Sequence, residues 1–325
     1  MKAVLCKAFT GADGLAVGEV DAPEPGPQEI LVDIHAAAVS FMDCLMASGG
    51  YQMRPELPYV PGTEGAGVVA AVGDKVTRFA PGDRVACSNW TGGFAERMVA
   101  KEWKAVKLPE GVDFAAASTI LHNYTTAHYA LIERARLEPG ETLLVTGAAG
   151  GVGLAVVDVG RKLGARVIAA VGGAEKAAFV RAHGADEAID YAGEDLRERV
   201  KALTGGAGVD VCFETVGGEV FKSMARLMNW GGRLMPIGFA GGAIPEVAMN
   251  LPLLKNYAIV GVFTGAWTER FPEESRQANE TIVAWLAAGE IAPYIDRELP
   301  LERAGEAMRA IADRSVRGRI VLKVR

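Results

Sequence analysis

Leu143-Leu144-Val145-Thr146-Gly147-Ala148-Ala149-Gly150-Gly151-Val152-Gly153 is the stretch whose reading decides the fold. Apolar residues suited to a buried strand run directly into glycines that open a helix. From Ala148 the spacing is A-x-G-x-x-G, a variant of the dinucleotide-binding fingerprint. Without a Cβ, Gly150 lets a pyrophosphate approach its backbone, and Gly153 lets the helix pack closely on the strand. The amides of the first helical turn and the helix dipole attract the phosphates. Ala149, Gly150, Gly151, Val152 and Gly153 are therefore candidate cofactor-binding residues. Ala148 in place of the first glycine weakens the bare pattern; the flanking strand and helix and the units that follow restore it.

Working outward, the chain alternates strand and helix. Strands are expected at Thr142–Thr146, Arg166–Val171, Asp186–Asp190, Val209–Glu214, Gly232–Gly238 and Ala258–Phe263. Helices are expected at Gly151–Leu163, Glu175–His183, Asp195–Leu203 and Val220–Met228. Continuous apolar strands alternating with helices imply a doubly wound parallel sheet. Residues 1–110 differ. Short apolar runs (Lys2–Lys7, Ile30–Val39, Gly67–Val72, Arg84–Ala86) are separated by turn clusters such as Pro81-Gly82-Asp83, with no long amphipathic helix. They read as a β-barrel-like domain. After a helix at Pro272–Ala288, helix Leu301–Arg314 and strand Arg319–Val324 suit either domain.

The end of the second strand bears on cofactor choice. NAD enzymes place an acid there, about twenty residues beyond the fingerprint, on the ribose 2′-hydroxyl. This chain has Val171-Gly172-Gly173-Ala174. Gly172 removes the repulsion that an acid would exert on a 2′-phosphate. Lys176 offers a positive end and Tyr191 a hydroxyl; the plain alternatives are a solvated helix residue and a packing residue. NADPH is the expected cofactor.

The 325 residues carry a net charge of −6, with 50% apolar and 23% charged residues, which excludes a disordered chain. The 40 glycines exceed the usual ~7% and point to tight turns or close backbone approaches. There is no basic patch for nucleic acid and no basic amphipathic helix for a membrane surface. Cys6, Cys44, Cys87 and Cys212 are too scattered for a disulfide framework or zinc ribbon. The uncharged run Phe114–Ile132 holds two His, an Asn, a Ser and three Thr, unlike a membrane span. The N-terminus has no basic-then-apolar signal pattern. A soluble, cytoplasmic protein is expected.

Further landmarks are Met1-Lys2-Ala3-Val4, Pro61-Gly62-Thr63-Glu64-Gly65-Ala66-Gly67-Val68-Val69, Pro81-Gly82-Asp83-Arg84-Val85, Gly93-Phe94-Ala95-Glu96, Pro139-Gly140-Glu141 and Gly231-Gly232-Arg233-Leu234. Together with the glycine turn they resemble the medium-chain dehydrogenase/reductase superfamily, in its zinc-free quinone oxidoreductase (zeta-crystallin-like) branch. The resemblance covers essentially the whole chain. It implies an α/β protein in which a Rossmann doubly wound parallel sheet is inserted in a GroES-like β-barrel domain. The GroES-like catalytic domain would be residues 1–118, completed by 289–325, and the Rossmann domain 119–288, with the active site in the cleft between them.

Zinc-dependent relatives hold catalytic zinc with a Cys, a His and a further Cys. The matching places here are Ser40, Thr63 and the neighbourhood of His122, a poor donor set for zinc. No metal is expected. Hydride must then pass to an acceptor that is already electron-poor, such as a quinone. By position, the resemblance puts Ile237, Gly238, Phe239 and Phe263 beside the nicotinamide ribose, and Arg314, in the last helix, near the cofactor. Ser40 and Leu45 stand where many quinone reductases have Asn and Tyr, near cofactor and substrate. Trp90, Asn123 and Trp267 are further candidate substrate contacts. His122 and Tyr124 are candidate proton donors, with a plain hydrogen-bonded or packing role as the alternative. The expected activity is an NADPH-dependent quinone reductase. The alternatives are a reductase of α,β-unsaturated carbonyls or enoyl thioesters, and a cofactor-binding protein with little catalysis. The partner is then a small-molecule electron acceptor, with no nucleic acid and no membrane. A homodimer is expected through the sheet edge at Ile259–Phe263, since an uncovered edge strand invites pairing.

Overall fold

The computed structural model describes all residues from Met1 to Arg325. In chain order it begins with β1 (Lys2–Cys6), β2 (Leu15–Glu19), β3 (Glu29–Val39), α1 (Phe41–Ala47), β4 (Glu64–Val72), β5 (Arg84–Ser88), β6 (Arg97–Lys101), β7 (Ala105–Lys107), α2 (Phe114–Ala117) and α3 (Ile120–His128). A π-helical turn, Tyr129–Arg134, follows. Then come β8 (Thr142–Thr146), α4 (Gly151–Lys162), β9 (Arg166–Val171), α5 (Ala174–Ala182), β10 (Glu187–Asp190), α6 (Leu196–Thr204), β11 (Val209–Glu214), α7 (Gly218–Leu227), β12 (Met228–Pro236), α8 (Asn250–Lys255) and β13 (Ala258–Ile259). The chain closes with α9 (Thr264–Arg270), α10 (Pro272–Ala287), β14 (Ile295–Pro300), α11 (Ala304–Ala312) and β15 (Arg319–Lys323).

Two compact units result: Met1–Thr125 with Trp267–Arg325, and Thr126–Ala266. The chain passes between them within α3 and again within α9. In the first unit the strand order is β14-β15-β3-β4-β5-β7, with β6 also on β3. The C-terminal strands thus join the N-terminal sheet through β15 on β3. Its core includes Ile30, Ile34, Phe94, Met98, Ile320 and Leu322. Helix α10 packs on β7, so residues 267–288 belong with this unit rather than with the dinucleotide-binding residues, where the sequence boundary at 288 puts them.

In the second unit six parallel strands lie in the order β10-β9-β8-β11-β12-β13. Leu144, Ile168, Ile189, Cys212 and Leu234 from five of these strands pack in one core. The fold class is the expected one, a Rossmann sheet inserted in a GroES-like unit.

Several local expectations need correction. The last sheet strand is only Ala258–Ile259, so Phe263 lies beyond it, just before α9. β12 starts earlier, at Met228, and ends at Pro236, which leaves Ile237 and Gly238 in a loop. The final helix ends at Ala312, because Arg314 takes a left-handed backbone (φ 56°) that a helix cannot accommodate. Arg314 is therefore an exposed turn residue, not a helical one. The short helices α1, α8 and α9 escaped the sequence reading, since at six or seven residues they show no apolar period. No helix is long and apolar enough to cross a membrane.

Candidate functional site

In the second unit the carboxyl ends of the parallel strands gather most of the candidate cofactor residues. The glycine turn follows β8, Gly172 follows β9, Tyr191 follows β10, and Ile237-Gly238-Phe239 follows β12. β9 and β11 flank β8 on opposite sides, which makes the β8–β11 gap the topological switch point where such sheets bind ligands.

Gly150 is the N-cap of α4. A Cβ built on it would meet only the Gly147 carbonyl oxygen, at 3.5 Å, an ordinary contact. A Cβ on Gly153 would lie 2.5 Å from that oxygen and 2.6 Å from Ala148 Cα. The two glycines therefore differ in kind. Gly153 is small because helix and strand touch, whereas Gly150 faces room that a ligand can use.

At the next strand end, a Cβ on Gly172 would sit 3.4 Å from the Tyr191 ring, so these two candidates are brought together. Lys176 lies half-buried in the first turn of α5, whose N-cap, Gly173, has a φ of 107° open to glycine alone. Asp190, which the sequence reading passed over, accepts hydrogen bonds from Gly173 N (2.6 Å) and Ala192 N (3.0 Å). This acid comes from β10 rather than β9 and is engaged by the backbone.

Glu214 also went unnoticed. Fully buried, its carboxylate accepts from Thr146 Oγ1 (3.0 Å), Val216 N (2.8 Å) and Gly217 N (3.0 Å). Burial raises its carboxyl above the ordinary range, against the lowering effect of those donors. Thr146 Oγ1 in turn accepts from Thr215 N (2.9 Å), and Thr215 Oγ1 donates to Thr146 O (2.9 Å). The turns after β8 and β11 are latched across the switch point. The loop after β12 joins them: Ile237 N bonds Glu214 O (2.8 Å), and a Cβ on Gly217 would lie 3.2 Å from the Phe239 ring. Phe263 is 56% exposed and makes no part of this cluster's hydrogen bonding.

In the first unit, Ser40 caps α1. Its hydroxyl accepts from Asp43 N (3.1 Å) while its backbone N–H donates to Asp43 Oδ2 (2.7 Å), a reciprocal capping box, and the hydroxyl also donates to Asp43 Oδ2 (2.6 Å). The hydroxyl is thus engaged internally. Leu45 lies half-buried on the same helix. Asn123 and Tyr124 are buried on α3, and Trp267 is buried on α9. Lys104, buried and paired with Glu269, has its Nζ 5.6 Å from the centre of the Trp90 ring.

Two charged residues missed in the sequence organise the start of α3. Glu64 from β4 and Arg319 from β15 form a buried ion pair. Glu64 Oε2 accepts from His122 N (2.9 Å), and Arg319 Nη1 donates to Asn123 Oδ1 (3.1 Å). Burial pushes the Glu64 carboxyl up to about 7, against the pull of Arg319. Burial, then Arg319 and Lys104, push His122 down to about 4. No three His, Cys, Asp or Glu side chains are grouped to hold a metal ion.

Residues 151–280 match the zinc-binding dehydrogenase family, and residues 26–110 match the alcohol dehydrogenase GroES-like domain. The chain is 37% identical to quinone oxidoreductase-like protein 2 homolog of Nematostella vectensis, over 100% of this chain and 89% of that one. It is 33% identical to human quinone oxidoreductase, over 94% and 92%. The Escherichia coli quinone oxidoreductase complexed with NADPH superposes with a TM-score of 0.93 at 29% identity, covering 100% of both chains. The chain belongs to the medium-chain dehydrogenase/reductase superfamily, in its quinone oxidoreductase branch. The zinc named in the first family description has no matching donor set here, since Ser40 and Thr63 offer only hydroxyls.

Two outcomes follow from this geometry. Gly150→Val folds normally by circular dichroism yet loses dinucleotide binding by fluorescence titration, whereas Gly153→Val fails to fold or is strongly destabilised. A folded Gly150→Val protein with undiminished affinity contradicts the site. Because the His122 imidazole gains a proton only near pH 4, well below its ordinary 6.5, it stays neutral at pH 6–8. The rate profile therefore shows no limb near 6.5 that disappears in His122→Gln; such a limb is the contrary result.

Proposed function

We propose that this protein is an NADPH-dependent quinone reductase that works without a metal. Membership of the family makes it an NADPH oxidoreductase. Quinone as the natural acceptor is our own reading. The observation that carries it is the pairing of two features: a strand end with Gly172 against Tyr191 and no acid from β9, and a first unit whose zinc-ligand places hold Ser40 and Thr63.

The residues present fit the cofactor. Gly150 leaves its backbone open to a pyrophosphate, and the first-turn amides of α4 face an anion favourably. Lys176 and Tyr191 flank Gly172 where a 2′-phosphate would lie, and Ile237, Gly238 and Phe239 border the nicotinamide end. Phe263 and Arg314 are weaker members of the set. When bound, NADPH supplies the hydride. The protein binds, orients and keeps competing water away. Without a Lewis acid to polarise a ketone, the acceptor has to be electron-poor already. Once it has taken the hydride, a quinone needs one proton, which water supplies, so neither His122 nor Tyr124 is required as an acid.

The alternative, reduction of an enone or enoyl thioester, needs a proton placed on the α-carbon, an effect typically worth 10²–10⁴-fold. A histidine held near pKa 4 is a poor cationic donor for that step. Ser40, Leu45, Trp90, Asn123 and Trp267 remain our proposed acceptor contacts. We place the protein in a reducing compartment, the cytoplasm. Its four thiols are free, and burial raises those of Cys44 and Cys87 to about 12, so they act as small apolar groups.

The test is oxidation of NADPH over a panel of quinones, enals and enoyl thioesters, with and without a chelator. Benzoquinones or naphthoquinones turn over, chelator has no effect, and His122→Ala and Tyr124→Phe each cost less than about tenfold. A hundredfold loss in either, with NADPH binding intact, transfers the assignment to the enone class. Lys176→Ala weakens NADPH by roughly 10–150-fold and leaves NADH almost unchanged, as expected for a charge-assisted phosphate contact of about 1.5–3 kcal/mol. Equal losses for both cofactors remove Lys176 from the site.

We also propose a homodimer. β13 ends the parallel sheet, and beside it Ile259 (37%), Phe263 (56%), Leu253 (78%) and Leu254 (68%) are exposed apolar side chains. An edge of this kind invites a second copy. Light scattering at micromolar concentration gives twice the 34.2 kDa chain mass; a monomer refutes the proposal.

A further inference from the structure

The Glu64–Arg319 pair sits where four buried groups meet. Both side chains are at least nine-tenths buried, on strands β4 and β15 of the first unit. A buried ion pair is seldom a net source of stability, because desolvation opposes the Coulombic gain, and an apolar pair of the same volume often serves as well. What such a pair does provide is direction. Here its remaining capacity is directed at two consecutive residues of α3: Glu64 Oε2 accepts from the backbone N–H of His122 (2.9 Å), and Arg319 Nη1 donates to Asn123 Oδ1 (3.1 Å).

The second bond fixes more than a distance. A guanidinium carries donors and no acceptor, so only the carbonyl end of the Asn123 amide can face it. The rotation of the amide, otherwise two-fold ambiguous, is set by chemistry. With Oδ1 held by Arg319, the polar atom that Asn123 has left to offer is Nδ2, a pure donor. Quinones, enones and thioesters all present a carbonyl oxygen, a pure acceptor.

We propose that Glu64 and Arg319 are positioning residues that lock the Asn123 side chain with its carbonyl on Arg319, leaving its NH₂ as the hydrogen-bond donor to the carbonyl oxygen of the electron acceptor. This rests on the reading of the protein as a reductase of carbonyl-bearing acceptors. The role is one of recognition and not of proton transfer. Its loss therefore falls on acceptor binding, and hydride delivery from a correctly seated complex is little affected.

The experiment measures equilibrium binding of a benzoquinone and of a simple enone to the full-length protein saturated with NADP⁺, a form that has no hydride to give. Steady-state KM and kcat are measured alongside. Asn123→Asp keeps the shape and the Arg319 contact but replaces the donor with an acceptor. It weakens acceptor binding at least tenfold, raises acceptor KM to match, moves kcat less than threefold and leaves NADP⁺ affinity within threefold. Arg319→Met repeats the loss, and Arg319→Lys recovers most of it. Should Arg319→Met not fold, Asn123→Asp and Asn123→Ala decide alone. Wild-type acceptor affinity in both overturns the proposal. So does a parallel loss of NADP⁺ and acceptor affinity, which marks a merely structural role. A wild-type protein that binds NADP⁺ but no carbonyl compound overturns the functional reading and the proposal together, whereas acceptor binding insensitive to Asn123 overturns the proposal alone.

Discussion

The carboxyl edge of the parallel sheet depends on one buried carboxylate. β8 and β11 are neighbours at the switch point, and their ladder ends at Val145 and Phe213, so the turns that follow them need another tie. Glu214 supplies the connection, taking the Thr146 hydroxyl from one turn and the Val216 and Gly217 amides from the other. Each of these donors, left unpaired in a buried place, costs about 1–3 kcal/mol. Burial raises the Glu214 carboxyl, and its donors pull the other way. The β12 loop is fastened to the same turns, through Ile237 N on Glu214 O and Phe239 against Gly217.

The first unit answers a related problem with a different chemistry. It buries two acids, Asp43 of α1 and Glu64 of β4, and one guanidinium, Arg319 of β15. Arg319 lowers both acids and their mutual repulsion raises Glu64, yet burial dominates, and both carboxyls stand above their ordinary range. Removing Arg319 alone would leave a buried charge without its partner, a loss of about 3–5 kcal/mol. The start of α3 is consequently held by two strands distant in sequence, and the direction of its polar side chains is inherited from the sheet.

The sheet and its glycine turn were legible in the sequence because their signals are local. Continuous apolar strands, helical periods and the spacing Ala148-x-Gly150-x-x-Gly153 each fit within a dozen residues. Val209–Glu214 was placed to the residue, and α4, α5 and α6 to within one. Elements of six or seven residues were missed, for they span less than two turns and show no period. The charged network was invisible for another reason. Glu64 and Arg319 are separated by most of the chain, and an isolated acid or arginine in an apolar run looks no different from a strand-end residue. Glu64 stood inside a quoted motif, but its partner lay in the C-terminal strand, whose pairing with β3 brings the two together. The one available signal was an arginine opening an otherwise apolar strand, Arg319-Ile320-Val321-Leu322.

Loss of metal ligands and the charge arrangement behind them are best understood together. A site that binds zinc through thiolates and an imidazole has a divalent cation to balance nearby acids. Ser40 and Thr63 in those places are poor zinc ligands, and on our proposal no such cation is held and the balance falls to side chains alone. Asp43 is turned inward to cap α1 through Ser40, which converts a ligand position into a helix terminus. Glu64 takes Arg319 as its counter-charge and the His122 amide as its donor. His122 itself is held neutral by burial and by the cations that remain. Glu64 and Arg319 thereby compensate each other within the unit. An acceptor that is electron-poor by its own structure is the one we propose this arrangement serves.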